Sequence, residues 1–430
     1  MSKLFLILIT FCFLYCGKKY DTLRPNKAGT FRGEFKHGNF SDSIQFTIER
    51  NTNEFKVFFS SLAQKAVRIP AQNVTVLGDS ISFLLQSDRY TYYFKNKWIK
   101  EYSIVEGSLI VKTDTTKYQL RKVSPIQLND IREEEVVFKS HGNQLQGSIW
   151  YPEKERKKGL VLLTSSGHED RSASRAEAII LAKNGYTLFH YDKRGTGNSE
   201  GEWEPTSIEQ LALDDIAAIR HFSYKTGIPL GNIGIMGSSQ GATKVPLILN
   251  KLTHLRYGVM ISCPGSSLLE SDLNFWKNRN SELIGDDLTE ASQIQKAVFE
   301  HISGKLPRKT LEEKIYRLKH KKWISKIWLP KLDEVQIDKK LNYSPLPHLE
   351  KTKQPVLIIQ GMSDEIIPAN SYKIISKYLE RAKNKEYQVI LLDKTSHSMS
   401  YDEESDFPYW SKIHPEYIKT INDWIITMYD

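Results

Sequence analysis

Cysteine is scarce in this chain: three among 430 residues, at positions 12, 16 and 263. Cys12 and Cys16 belong to the N-terminal apolar run, so only Cys263 lies in the body. A disulfide scaffold is therefore excluded, and the fold must rest on an apolar core that 430 residues can amply supply. Long hydrophobic runs are also missing. The marked one, Leu4 to Cys16, is too short for a helix to cross a hydrocarbon layer of ~30 Å, which excludes a polytopic membrane protein. Repeats and low-complexity tracts are absent, which excludes collagen and long disorder. No H-E-x-x-H and no second pair of clustered ligands accompanies His168-Glu169-Asp170, so no metal is expected. Gly195-Thr196-Gly197 follows a strand-like segment, but Glu200 stands where a dinucleotide fingerprint needs its third glycine. No cofactor is expected.

What is present begins with charge. Lys and Arg number 60 against 51 Asp and Glu, a net +9. Such an excess suits nucleic acid, an anionic membrane or a solvated surface. No nucleic-acid-binding module accompanies it, so no nucleic-acid partner is expected. The basic residues are dense between about 305 and 340, interleaved with Tyr316, Trp323 and Trp328. The plain expectation is a solvated helix face with its aromatics turned inward; the functional one is contact with an anionic membrane or an acidic substrate.

At the N-terminus, Lys3 precedes the apolar run, which stops at Cys16 and gives way to Gly17-Lys18-Lys19 and a polar stretch. This is the layout of a secretory signal. It resembles a bacterial lipoprotein signal, in which the first mature residue is a lipidated cysteine; Tyr15 stands where that motif has a small residue. The resemblance implies a signal peptide over 1–15, lipidation at Cys16, a tether over 16–29 and a membrane-anchored protein of the bacterial cell envelope. Cys263 follows the apolar Tyr257–Ser262 stretch and reads as a buried small residue.

From residue 30 to about 124 the chain shows short runs of β type, among them SIQFTIE, EFKVFFS, SISFLLQ and SLIVKT, separated by turn residues such as Gly78-Asp79. Period-two alternation predicts half-buried antiparallel strands, hence a small all-β domain, sandwich or barrel. From 125 to 430 strands alternate with helices, the rhythm of an α/β domain on a mostly parallel sheet. Eight strands are predicted, at 134–139, 144–150, 159–164, 186–191, 232–236, 257–262, 355–360 and 387–392. Helices are predicted near 173–184, 207–224, 240–251, 370–382 and 414–428. Residues 266–346 break the rhythm with lysine-rich, helix-favouring sequence too long for a connection, and read as an inserted helical lid.

Gly237-Ser238-Ser239-Gln240-Gly241 is a G-x-S-x-G pentapeptide. Alone it arises by chance in about one chain in seven of this length. Here it joins a predicted strand to a predicted helix, the setting of a nucleophile elbow, where the turn is tight and the flanking residues must be small. Ser239, with glycine two residues away on both sides, is the candidate nucleophile; its plain alternative is a helix N-cap. A serine hydroxyl needs a base, and the base an orienting acid. Asp364 follows the predicted strand 355–360, with Glu365 and Asp393 as competing acids, and His397 follows the last predicted strand. Strand ends are where ligand sites of such sheets gather.

The order Ser239, Asp364, His397, each at a strand end, resembles the α/β-hydrolase family over residues 130–430. Asp192-Lys193-Arg194-Gly195-Thr196-Gly197-Asn198-Ser199 is similar to that family's D-x-R-G-x-G-x-S loop. Leu163-Thr164-Ser165-Ser166-Gly167-His168-Glu169-Asp170-Arg171 is similar to the G-S-G-P-Q-D-R segment of a bacterial esterase and peptidase-like subgroup, with His168 where proline stands. The resemblance implies an oxyanion hole from backbone N–H groups at Gly167, with Ser166 and His168 as its neighbours in the choice, and at Gln240. It implies an exported serine hydrolase without a cofactor, a carboxylic-ester hydrolase first and a serine peptidase or amidase second. A noncatalytic envelope protein whose β domain binds a ligand is the reading from outside enzymology.

Overall fold

The computed structural model describes residues 26–51, 54–87, 90–124, 131–154, 157–401 and 405–429. The expected signal peptide and Cys16 lie outside the described residues. Among those described, no helix is long and apolar enough to cross a membrane.

The N-terminal region is all β: β1 (Gly29–His37), β2 (Phe40–Asn51), β3 (Glu54–Ser61), β4 (Ala66–Pro70), β5 (Gln72–Leu77), β6 (Ser80–Gln86), β7 (Thr91–Ile99), β8 (Ile104–Val111) and β9 (Asp114–Val123). Their spatial order is β4-β3-β2-β1-β9-β8-β7-β6-β5, every pairing antiparallel. Its two edges, β4 and β5, are halves of one segment joined at Ala71, whose N–H bonds the Val57 carbonyl of β3 at 2.8 Å. The sheet therefore returns on itself as an up-and-down barrel, which removes its free edges. Alternation decides which side chains go inside: along β2, Phe40, Ile44, Phe46 and Ile48 are buried between more exposed neighbours. The interior is filled rather than hollow. Phe46 meets Phe83 and Phe94 edge-on at 5.1 and 5.4 Å, and Phe83 stacks on Phe94 at 5.1 Å.

The second sheet has the order β10-β11-β13-β12-β14-β15-β16-β17. Its strands are β10 (Ile131–Ser140), β11 (Asn143–Pro152), β12 (Gly159–Leu162), β13 (Thr187–Tyr191), β14 (Ile233–Ser238), β15 (Tyr257–Ile261), β16 (Val356–Gly361) and β17 (Tyr387–Leu392). β11 runs antiparallel to β10 and β13, and the pairings from β13 through β17 are parallel. The apolar runs of β12, β13, β15 and β16 are buried along their whole length because helices cover both faces. On one face lie α2 (Ile208–Thr226), α3 (Gln240–Lys251) and α8 (Ser371–Arg381), through Ile219, Phe222, Val245, Ile248, Ile375 and Leu379. On the other lie α1 (Arg175–Lys183) and α9 (Pro415–Thr427), through Ala178, Tyr417, Ile421 and Ile425. Helix ends follow local chemistry: the Ser207 hydroxyl accepts from Gln210 N–H at 3.2 Å to start α2, and Gly227, at φ 69°, ends it.

The 266–346 segment folds as α4 (Leu268–Ile284), α5 (Leu288–Ile302) and α6 (Arg308–Leu318), followed by short 3-10 turns and α7 (Leu346–Leu349). It builds a small core of its own from Leu273, Trp276, Ile294, Phe299 and Trp323. Of the interleaved aromatics only Trp323 turns inward. Tyr316 is exposed and Trp328 is 54% exposed; the Trp328 main-chain N–H donates to Gln295 Oε1 at 2.8 Å and its ring reaches only the rim of α5, at 6.0 Å from Phe299. The inward expectation therefore fails for Tyr316 and Trp328. The segment is tied to the loop after β16, where Asn278 donates to the Glu365 carbonyl at 2.7 Å and Asn274 to that of Ile366 at 3.1 Å.

Candidate active site

Ser239 lies between β14 and α3 at φ 53°, ψ −121°, a backbone conformation that non-glycine residues rarely adopt. Close packing forces it. A Cβ on Gly237 would sit 2.5 Å from the Gly241 backbone, and one on Gly241 would sit 2.9 Å from the Thr164 carbonyl. Both glycines are thus demanded by contact. The Ser239 side chain does not cap α3, so the N-cap alternative is not what the structure contains. Its N–H instead donates to the Ile261 carbonyl at the end of β15, at 2.9 Å.

The next residue, Ser262, donates its hydroxyl to the His397 carbonyl at 2.8 Å. Successive residues at one strand end therefore hold the main chains of Ser239 and His397. The His397 side chain is 16% exposed and Asp364 is 1% exposed; Nδ1 lies 2.8 Å from Asp364 Oδ2. A carboxylate only accepts, so Nδ1 carries the proton and Nε2 is left with a lone pair. The other Asp364 oxygen accepts from the N–H groups of Ile366 and Ile367 at 2.9 and 3.2 Å, which fixes the carboxylate in its turn. Among the three acids near these strand ends, the imidazole pairs with Asp364 rather than Glu365 or Asp393.

The loop after β12 passes beside the elbow, with the Ser165 hydroxyl donating to the Ser238 carbonyl at 2.9 Å. Gly167 has φ 71°, a turn that glycine adopts without strain. The sequence singled out Gly167 but assigned no role to the side chain that holds it. Lys193 is 1% exposed and points its ammonium into this loop, donating to the Ser165 carbonyl at 2.8 Å and to the Gly167 carbonyl. It also lies over the Trp203 ring at 4.3 Å. Peptide units are planar and trans here, so the Ser166 and His168 N–H groups that share those units turn away from the ammonium. Burial, and then the neighbouring Lys244, push the Lys193 ammonium down to about 8. Gln240, the first residue of α3, is buried, and its N–H belongs to the helix terminus that favours negative charge.

A second buried cation braces the same loop. Lys244, on α3, lies 2.5 Å from Asp215 of α2 and donates to the Thr164 hydroxyl at 2.8 Å, while the Tyr191 hydroxyl donates to Asp215 at 2.7 Å. Burial raises the Asp215 carboxyl, and Lys244 opposes the rise. A lysine one turn into α3, directly before the apolar run 245–249, was the available sequence signal for this pair. The D-x-R-G-x-G-x-S loop is held equally firmly. Asp192 accepts from the Arg171 main chain and guanidinium at 3.0 Å and from Asn198 N–H at 3.0 Å. Arg194 grips Asp214 through two bonds of 2.6 and 2.7 Å. Cys263 is buried as expected, with its thiol pushed well up by burial alone. Among the described residues, no group of three or more His, Cys, Asp or Glu side chains is placed to hold a metal ion.

An elbow serine under strain and a histidine bonded to a buried acid stand at strand ends of one sheet, and these are the residue types that acyl transfer uses. Comparison with solved structures returns similar chains at low identity. An esterase from Pyrococcus furiosus is 17% identical, with 71% of this chain and 96% of that chain covered and a TM-score of 0.44. Proline iminopeptidase from Mycobacterium smegmatis is 15% identical over 69% and 98%, with a TM-score of 0.45. A thioesterase domain from the curacin biosynthetic pathway is 15% identical over 69% and 99%, with a TM-score of 0.42. A search of curated protein sequences gave no match. Residues 141–399, more than half of the chain, match the X-Pro dipeptidyl-peptidase (S15) family. The chain belongs to that family, and is an α/β-hydrolase-fold serine hydrolase.

Proposed function

We propose that this protein hydrolyses carboxylic esters through Ser239, His397 and Asp364. The observation that carries the reading is the 2.8 Å bond from His397 Nδ1 to Asp364, because it leaves Nε2 as the base. Ser239 Oγ attacks the acyl carbonyl as Nε2 takes its proton; a backbone N–H at Gly167 or its neighbours and the Gln240 N–H receive the oxyanion. Nε2 returns the proton to the leaving oxygen, and water releases the acyl group by the same steps. Esters come first because an alkoxide leaves with less proton donation than an amine. The family match supports a second reading, cleavage of a peptide amide by the same residues. A fluorophosphonate probe is expected to label the wild type and not Ser239→Ala; labelling of the variant would sink the assignment. Turnover of short acyl esters measured beside X-Pro anilides separates the two substrates. Equal turnover by wild type and Ser239→Ala on both would favour the binding-protein reading.

The reading extends to an exported protein anchored in the bacterial envelope by a lipid at Cys16. The apolar run ending at that cysteine and the polar stretch after it support it. Radiolabelled palmitate should enter the wild type and not Cys16→Ser.

A further inference from the structure

The barrel has so far no part in the chemistry, yet two of its core side chains come from the other end of the chain. Phe407 and Trp410, 1% and 5% exposed, pack with the barrel's cluster. Each lies 5.1 Å from the Phe35 ring, and Trp410 lies 5.4 Å from Phe59. Polar contacts surround the plug. Asn39 and Asp406 exchange main-chain-to-side-chain bonds of 2.6 and 2.9 Å, the Tyr92 hydroxyl donates to the Tyr409 carbonyl at 2.6 Å, and the Tyr409 hydroxyl donates to Asp114. A Cβ on Gly38 would fall 1.9 Å from the Asp406 carboxylate, so the barrel turn is shaped for this contact.

The plug is the tip of a hairpin whose base carries His397. Its strands, β18 (Ser400–Tyr401) and β19 (Lys412–Ile413), pair over two residues each. Tyr401 also bridges back to Thr395, the Ser396 N–H bonds the Ser400 carbonyl at 2.8 Å, and the His414 N–H bonds the Met399 carbonyl at 2.8 Å. His397 therefore sits in a turn closed by the same residues that begin the hairpin. An isolated ribbon is marginal in water even when far longer, so this hairpin takes part of its position from the barrel on which its tip is docked, beside the Ser262 bond that holds the His397 main chain.

We propose that the barrel helps hold His397 in line with Asp364 through residues 405–414 and their pairing with Met399, Ser400 and Tyr401, with Phe407 and Trp410 as positioning residues. The proposal rests on His397 being the base. Loosening the plug displaces the imidazole, and a misplacement near 1 Å costs up to about a hundredfold in rate. Trp410→Ala and Phe407→Ala in the full chain are expected to lower kcat ten- to a hundredfold with KM unchanged. The downfield proton resonance of the His397–Asp364 bond should broaden in both, and Trp410→Phe should restore both readouts. Where the alanine variants do not fold, Tyr92→Phe combined with Asp406→Ala decides, since it removes the Tyr92 hydroxyl and the exposed carboxylate that accepts from the Asn39 N–H without opening a cavity in the barrel core. A folded plug variant with wild-type kcat and an unchanged resonance overturns the proposal. The resonance is read without substrate, so a failure of the ester reading leaves this arm standing.

Discussion

His397 donates its Nδ1 proton to Asp364 Oδ2 across 2.8 Å, while Ile366 and Ile367 hold the opposite oxygen of the same carboxylate. An amide in that place would keep the shape and offer an N–H or a weaker acceptor, so the imidazole would lose its orientation and tautomer. Asp364→Asn is therefore expected to lower kcat by about 10³–10⁴ with little change in KM. Steady-state kinetics on a short acyl ester checks this, and wild-type turnover would assign the acid elsewhere.

Lys193 links pH to the oxyanion loop. Its ammonium, pushed down to about 8, stays charged below that pH and holds the Ser165 and Gly167 carbonyls. The rate is expected to fall on an alkaline limb centred near pH 8, and Lys193→Met should run slower throughout and lack the limb. Stability moves the other way. Between about 8 and the ordinary lysine value of 10.5 the unfolded chain binds the extra proton, so this group alone makes the fold more stable as pH rises. Kinetic and denaturation profiles taken together would expose the opposed signs.

Gly361 ends β16 where the His397 turn passes. A Cβ there would lie 2.2 Å from the Thr395 carbonyl and 2.7 Å from that of Ser396, both main chain. Gly361→Ala should destabilise the protein by about 1–3 kcal/mol and lower kcat. At Gly231 the nearest atom is 3.8 Å away, and Gly231→Ala should change stability by less than about 0.5 kcal/mol. Urea unfolding of the two variants makes the comparison.

Lys244 and Asp215 are both buried and lie 2.5 Å apart. Removing one partner strands the other charge, so Lys244→Met is expected to cost about 3–5 kcal/mol. Combining it with Asp215→Leu should recover part of that cost, and a double-mutant cycle by denaturation measures the coupling. Additive effects would show that the pair is not coupled.

Much of the catalytic domain was legible because its signals are local. The glycines of G-x-S-x-G are there for contacts within a few residues of Ser239, and the strand rhythm follows from burial of β12 to β16 on both faces. The choice among Asp364, Glu365 and Asp393 was not local, since it depends on how two loops meet above the sheet. Neither was the role of Lys193, whose partners Ser165 and Gly167 precede it by 28 and 26 residues. Tyr316 and Trp328 showed the same gap, reading as core by composition and lying exposed in the fold.

The sequence by itself determined which residue types stand at which strand ends, because turns, elbows and periodicity obey backbone sterics that act over a few positions. Only the tertiary structure decided that Phe407 and Trp410, shortly before the last helix, complete the core of a barrel made from residues 29–123. Apolar burial is non-directional and carries no address in the sequence. Which surface a given ring fills is settled only when both surfaces exist.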